Sequence, residues 1–234
     1  MNISSKPGDS KLIRTSNGAD IIPTVVPKSL DDVARARKRY PFAASLHVDI
    51  ADGVFAPNTT WTVGPVEKLP DAGAANYEVH LMVQNPLQAG LSFARAGARR
   101  IIGHVEAFDH AERAQEAFDM WQKAGAKEVG IAILLETPLE ELTFYVGLCD
   151  FVHMMTIASI GKQGIPFDQR SVERVTTLHK RYPHVTISVD GGENARTIEK
   201  LTEAGATRFC VGSVLAKARN PEKEFARLQA AALE

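Results

Sequence analysis

The chain has 234 residues, of which 44% are hydrophobic, and its 27 basic and 28 acidic side chains give a net charge of −1. Because these charges are spread without long runs, they argue against a nucleic-acid or membrane-surface partner and favour a small-molecule ligand. The two cysteines, Cys149 and Cys210, lack CxxC spacing. This usage argues against a disulfide framework and predicts a cytoplasmic protein.

The first twenty residues are polar and contain no apolar segment of signal-peptide length. We therefore expect residues 1–20 to form a flexible leader. No later run approaches the ~18 apolar residues of a membrane span. From Ile21 onward, strand-like and helix-like patterns alternate with little interruption, so residues 21–234 are predicted to form one domain.

Eight strand-like patterns follow one another, and a helix-like pattern follows each of them except the second, which is followed by a short segment. The strands are predicted over residues 21–26, 44–50, 76–83, 99–107, 128–135, 151–157, 186–192 and 208–215. The helices are predicted over residues 30–40, 86–97, 111–125, 138–148, 171–183, 195–206 and 221–233. Eight such units predict an α/β fold, the single-domain (β/α)8 TIM barrel. The alternative is a doubly wound open sheet, which needs a different strand order to bring the second, third and seventh strands together.

Four residues of metal-ligand type stand at or near the ends of three predicted strands: His47, Asp49, His80 and Asp190. Residues two apart in a strand face the same way, so His47 and Asp49 can share one divalent ion. In a barrel, the carboxyl ends of the strands open onto one face, where the other two would complete the site. Two imidazoles and two carboxylates suit zinc, iron(II), manganese or cobalt better than calcium or magnesium. Each residue alone could be a structural polar group, but four together indicate an active site, since buried carboxylates are costly unless paired or bound to metal.

Six short strings carry a resemblance to a known family: HVDIADGVFAPN, VHLMV, HVEA, MMTI, SVDGG and CVGSVL, in this order. They resemble the ribulose-phosphate 3-epimerase family of (β/α)8 barrels, and the resemblance runs from about Ile22 to Glu224. The family's second-strand signature is His-x-Asp-x-x-Asp-Gly-x-Phe-x-Pro-Asn. This chain matches it at every named position from His47 to Asn58.

The resemblance implies an isomerase, an epimerase that inverts C3 of a ketose phosphate. D-ribulose 5-phosphate is the leading substrate and D-xylulose 5-phosphate the product, which implies a place in pentose phosphate metabolism. The four residues above are implied as ligands of one divalent ion per subunit, with Asp49 and Asp190 also acting as acid and base on opposite faces of the substrate. The ion would stabilise the enediolate charge. His104 and Glu106 match the family's His-x-Glu on strand 4. The resemblance also implies a homo-oligomer.

The resemblance assigns further residues to substrate binding. Met82 and Met155 match methionines that line the enediolate, although ordinary core packing would explain them equally well. Thr24 replaces the family's usual serine and keeps its hydroxyl group. The substrate phosphate is expected after the seventh and eighth strands, where such barrels bind phosphate, at Gly191, Gly192, Gly212 and Ser213.

The segment after the sixth strand departs most from the family, which carries a Pro-Gly-Phe-Gly-Gly-Gln loop there. Here residues 158–164 read ASIGKQG, so Gly161 and Lys162 are expected either to form an anion-binding loop or to lie in a solvated turn. In addition, Ala51 stands where the family usually has a methionine. The reaction type is therefore better supported than the substrate, and a longer ketose phosphate such as a hexulose 6-phosphate is an alternative.

Two rival functions belong to other classes. Barrels that decarboxylate or condense sugar phosphates carry an Asp-x-Lys-x-x-Asp array on strand 3 with magnesium, whereas this strand reads EVHLMV over residues 78–83, without lysine. A non-catalytic sugar-phosphate-binding barrel would be expected to lack a ligand or an acid/base carboxylate. None is missing, although the altered loop after the sixth strand keeps this alternative open.

Overall fold

The computed structural model describes residues 19–162 and 164–233. It contains eight β-strands: β1 (Asp20–Val25), β2 (Ser45–Ala51), β3 (Asn76–Met82), β4 (Arg100–His104), β5 (Glu128–Ile133), β6 (Phe151–Met155), β7 (Thr186–Asp190) and β8 (Arg208–Val211). Each strand pairs in parallel with the next, and β8 pairs with β1, so the sheet closes into a barrel. This confirms the predicted (β/α)8 barrel and excludes the open sheet. Residues 1–18 of the predicted leader lie outside the described residues, and Asp20 already belongs to β1.

Seven α-helices lie in the described part of the chain. They are α1 (Leu30–Arg39), α2 (Pro86–Ala96), α3 (Ala111–Ala124), α4 (Arg170–Arg181), α5 (Ala195–Glu203), α6 (Ser213–Lys217) and α7 (Pro221–Ala231). Local signals fix several of their starts: the Ser29 side chain accepts the N–H of Asp32, and Asn194 forms a capping box with Thr197. None of these helices has the length and apolar character that a membrane crossing requires.

Two connections contain no α-helix where a barrel usually has one. Residues 52–75, between β2 and β3, form turns and one isolated bridge, because prolines and glycines interrupt the segment repeatedly. The helix predicted over residues 138–148 is a 3₁₀ helix, Leu139–Phe144. Leu139 and Leu142 in this helix and Tyr145 directly after it are buried and recur every three positions, which matches the 3.0 residues per turn of this helix type.

Seven of the eight strands end earlier than the sequence predicts, and β4 and β8 differ most from the prediction. β4 stops at His104, and Val105–Ala107 form a 3₁₀ turn in which the Glu106 carboxylate accepts bonds from Leu134 N and Thr137 Oγ1. β8 stops at Val211, because the chain turns at Gly212 into the short helix α6. Hydrophobic runs that continue across these ends made both strands look longer.

The strand register aligns the residues that the site uses. Asp49 on β2 lies opposite His80 on β3, and Met155 on β6 lies opposite Asp190 on β7. All seven residues of β2 are buried, since one side of the strand faces the barrel interior and the other faces the helices. The large apolar cluster packs between barrel and helices, which leaves room inside the barrel for polar side chains.

The amino ends of the strands are closed by a network of charged side chains. Arg100 lies 3.5 Å from Glu78, 3.6 Å from Asp20 and 3.1 Å from Glu128. Glu128 in turn lies 2.7 Å from Arg208. The base of the barrel is therefore ionic, and Glu78 connects it to the cluster described next.

Candidate active site

The barrel brings all four predicted metal ligands together at the carboxyl ends of its strands. Asp49 Oδ1 lies 3.2 Å from His47 Nε2 and 3.1 Å from His80 Nδ1. Asp190 Oδ2 lies 4.0 Å from His47 Nε2 and 3.7 Å from His80 Nδ1. Both imidazoles are fully buried, and both carboxylates are nearly so. The spacing of two along β2 and the β2–β3 register create this arrangement.

Neighbouring side chains fix the tautomer of both imidazoles. His47 Nδ1 lies 2.7 Å from Glu78 Oε1 and donates to this carboxylate, which leaves the Nε2 lone pair facing Asp49. His104 Nδ1 lies 3.1 Å from Glu106 Oε2, so His104 Nε2 accepts from His80 Nε2 at 2.8 Å. The Nδ1 lone pair of His80 therefore faces the same centre. Carboxylate or histidine partners behind a histidine are typical of metal ligands.

A third histidine, which sequence reasoning missed, belongs to the same cluster. His153 on β6 is fully buried, and its Nε2 lies 3.8 Å from Asp190 Oδ2. Its ring stacks on the His47 ring with the ring centroids 5.4 Å apart, and it contacts the His80 ring edge-on with the centroids 4.7 Å apart. The signal was present, because His153 stands two residues before Met155 and must share its face of the strand.

These side chains fit a divalent ion. The ligand atoms of His47, His80, His153 and Asp190 all lie within 4.8 Å of one another, with Asp49 between two of them. With no cation among them, lone pairs and carboxylate oxygens would face one another in a buried space, which is unfavourable. Imidazole and carboxylate ligands together suit a first-row transition metal such as zinc, iron(II), manganese or cobalt.

The two carboxylates of the cluster have pKa values that differ in direction. Burial raises the pKa of Asp190 to about 6, and the negative charge of Asp49 adds to the rise. Burial also opposes the charged form of Asp49, but its contacts with His47 and His80 outweigh it and hold the pKa of Asp49 below its ordinary value. Environments that separate two carboxyl groups in this way are typical of acid/base pairs.

A cavity opens beside the cluster, and Asp49 and Asp190 both line it. All nine residues predicted to bind substrate also line it: Thr24, Met82, Met155, Gly161, Lys162, Gly191, Gly192, Gly212 and Ser213. At Gly161 the backbone has φ 83°, and a Cβ there would lie 2.1 Å from Asn58 Oδ1. The loop after β6 therefore packs closely against the loop after β2, and Lys162 is exposed beside it.

A buried acid lies among the glycines expected to hold phosphate, and the sequence did not reveal it. Glu193 is 3% exposed, and its carboxylate accepts the N–H of Gly191 at 2.6 Å and the hydroxyl of Thr156 at 2.7 Å. Burial, and then the charge of Asp190, raise the pKa of Glu193 to about 8. The N–H of Gly191 therefore already donates to Glu193. An anion in the cavity would have to accept hydrogen bonds from other backbone N–H groups.

A closed parallel barrel with a buried His/Asp cluster at the carboxyl ends of its strands has the architecture of a TIM-barrel enzyme. The model of the ribulose-phosphate 3 epimerase family matches residues 22–216. The chain belongs to this family and is therefore an isomerase, an epimerase.

Curated relatives agree with this assignment. The ribulose-phosphate 3-epimerase of Mycobacterium leprae is 33% identical over 217 residues, which cover 88% of this chain and 94% of that protein. The ribulose-phosphate 3-epimerase of Chlamydia trachomatis is 30% identical over 197 residues, which cover 81% and 82%. The relatives therefore match this chain over most of their own length.

Solved structures of other barrel enzymes share the fold at low sequence identity. The 3-keto-L-gulonate-6-phosphate decarboxylase of Vibrio cholerae aligns with a TM-score of 0.66 and 14% identity, over 92% of this chain and 98% of that one. The 3-hexulose-6-phosphate synthase of Salmonella typhimurium aligns with a TM-score of 0.64 and 12% identity, over 92% and 98%. At such identities the likeness concerns the fold alone.

Proposed function

We propose that this protein is a metal-dependent epimerase that interconverts D-ribulose 5-phosphate and D-xylulose 5-phosphate by inverting C3. The observation that carries the proposal is the pair Asp49 and Asp190, which lie in one His/Asp cluster and line one cavity. The names of the curated relatives support this substrate. A relative from Oryza sativa is named the cytoplasmic isoform, in line with the predicted location.

Inversion beside a ketone needs one group that removes the C3 proton and another that returns a proton to the opposite face. The ionised carboxylate of Asp49 is suited to accept a proton, because its contacts with two histidines lower its pKa and favour its charged form. Asp190, whose pKa is raised, is suited to hold the proton that is returned. In the reverse direction the two exchange roles.

The residues around this pair hold the substrate and exclude water. When bound at His47, Asp49, His80 and Asp190, a divalent ion supplies positive charge that stabilises the negative charge developing beside C3. Met82 and Met155 are buried at 2% and 3% exposure, and their thioethers offer a polarisable surface that carries no titratable proton. We assign Thr24 to the sugar hydroxyls. The phosphate group is assigned to the backbone of Gly192, Gly212 and Ser213, beside Gly191, Gly161 and Lys162.

The experiment that tests this function is proton NMR of the metal-reconstituted protein with D-ribulose 5-phosphate in deuterated water. We expect the C3 proton signal to disappear while xylulose 5-phosphate accumulates. Asp190→Asn should stop the exchange, since a carboxamide cannot hold or release the proton, whereas the control Asp31→Asn, on the exposed face of α1, should not.

Other outcomes separate the alternatives. Exchange with a hexulose 6-phosphate but not with the pentulose would keep the epimerase and overturn its substrate. Absence of exchange with either ketose phosphate, in protein whose bound metal is verified by elemental analysis, would contradict the epimerase and favour a sugar-phosphate-binding barrel.

A further inference from the structure

The proposed proton transfers assign no role to His153, although its buried ring lies against His47 and His80 and its Nε2 lies near Asp190. We propose that His153 is a fifth protein ligand of the same ion, together with His47, Asp49, His80 and Asp190. The proposal rests on the metal centre assigned above. It adds a ligand from β6 to a set that otherwise comes from β2, β3 and β7.

Distances place His153 within reach of a shared ion. Its Nε2 lies 3.8 Å from Asp190 Oδ2, and one ring nitrogen of each of the three histidines lies within 4.8 Å of the others. Two ligand atoms about 2.1 Å from one ion can lie at most about 4.2 Å apart. The 3.8 Å separation already satisfies this limit, and the remaining pairs, which are no more than 4.8 Å apart, exceed it by at most about 0.6 Å.

The surroundings of the ring direct the correct nitrogen at the ion. His153 Nδ1 lies 3.0 Å from Ser188 Oγ, its neighbour across the β6–β7 register. With Nδ1–H donating to Ser188, the Nε2 atom carries a lone pair and faces Asp190. This is the arrangement found for His47 with Glu78 and for His80 with His104. Three imidazoles from three strands therefore present unprotonated nitrogens to one point.

An ordinary core histidine would satisfy both of its ring nitrogens. The side chain of His153 is fully buried, and among the described residues no hydrogen-bond partner is within reach of its Nε2. Leaving such a group unsatisfied costs about 1–3 kcal/mol. Stacking on His47 explains how the ring packs, but it gives the nitrogen no partner. A metal ion provides one.

The test replaces His153 by leucine, which fills similar space without a donor, and compares cobalt(II) binding with that of the unmodified protein. We expect cobalt affinity, measured by competition with a chelator, to fall at least about tenfold. We also expect the visible absorption bands of bound cobalt to shift and change in intensity, because the metal loses one ligand. The control Met154→Leu changes the next residue of the same strand, which is buried in the large apolar cluster, and it should leave the spectrum unchanged.

A measurement on the unmodified protein keeps the proposal testable if His153→Leu does not fold. In protein with ¹⁵N-labelled histidine and bound ¹¹³Cd, three imidazole nitrogens should show one-bond coupling to cadmium. Two coupled imidazoles, or a cobalt spectrum and affinity unchanged by His153→Leu, would overturn the fifth ligand and leave the metal centre intact. No coupled imidazole would overturn the centre as well, whatever the result of the epimerase assay.

Discussion

Glu193→Gln removes the negative charge that the fold buries beside Gly191 while keeping its hydrogen bonds. The glutamine carbonyl can accept the Gly191 N–H, and its amide can donate to Thr156 Oγ1, whose single hydrogen can then be donated to the Gly191 carbonyl at 2.7 Å. Size and shape are almost unchanged. Any effect of the substitution on stability therefore reports the charge.

The sign of the effect depends on pH. The pKa of Glu193 is about 8 in the folded protein against an ordinary value of 4.5, so the folded state holds this proton more tightly than the unfolded state. Stability is then highest below the unfolded pKa and falls as pH rises from about 4.5 to about 8. A difference of this size corresponds to no more than about 5 kcal/mol, at 1.36 kcal/mol for each pKa unit.

The assay is urea unfolding, followed by circular dichroism, of the metal-free protein at pH 5 and at pH 9 in phosphate-free buffer. We expect Glu193→Gln to unfold with nearly the same free energy as the unmodified protein at pH 5, and with a free energy about 2–5 kcal/mol higher at pH 9. Glu203→Gln, at an exposed position on α5, is the control and should change both values equally. A variant that loses stability at pH 9, or that differs equally at both pH values, would refute the reasoning.

Three further predictions concern packing, buried charge and metal. Gly90→Ala should lower the free energy of unfolding by about 1–3 kcal/mol, because its Cβ would lie 2.2 Å from Trp121 Cε2; Gly147→Ala, with no atom within 4 Å, is the control. Glu78→Gln should cost about 3–5 kcal/mol in urea unfolding, since it removes a fully buried carboxylate from between Arg100 and the Nδ1–H of His47, and an unchanged midpoint would contradict this. His80→Ala should reduce bound metal below one ion per chain by elemental analysis, and full occupancy would contradict the ligand set.

Much of the fold could be predicted from the sequence, because burial on both faces gives parallel strands continuous apolar runs. The two-residue period also placed His47 with Asp49, and the barrel geometry placed His80 and Asp190 beside them. The spacing of apolar residues could not predict which type of helix one of the connections forms. Leu139 and Leu142 are apolar at a spacing that suits both α and 3₁₀ helices, and the sequence alone favoured the commoner one.

The site residues that sequence reasoning missed are polar groups whose importance depends on contacts between distant segments. His153 becomes part of the cluster only because β6 lies beside β7, where its ring approaches Asp190. Glu193 follows the two glycines after strand seven, and its carboxylate is buried because Thr156 of the neighbouring connection forms a hydrogen bond with it. The contact of Glu193 has no local signature along the chain, whereas the two-residue period of β6 places His153 on the same strand face as Met155.

The charged network at the amino ends of the strands helps to determine the register in which the strands pair. Its charges come from five strands, namely Asp20 of β1, Glu78 of β3, Arg100 of β4, Glu128 of β5 and Arg208 of β8. A purely aliphatic interior would accept a strand displaced by two residues, because similar side chains would meet again. Here the same displacement would leave a buried charge unpaired, at a cost of about 3–5 kcal/mol. β1 and β8 are the first and last strands in the sequence, and the charged network includes a residue from each. The network therefore favours the closed barrel in which the histidines at the carboxyl ends of the strands lie together.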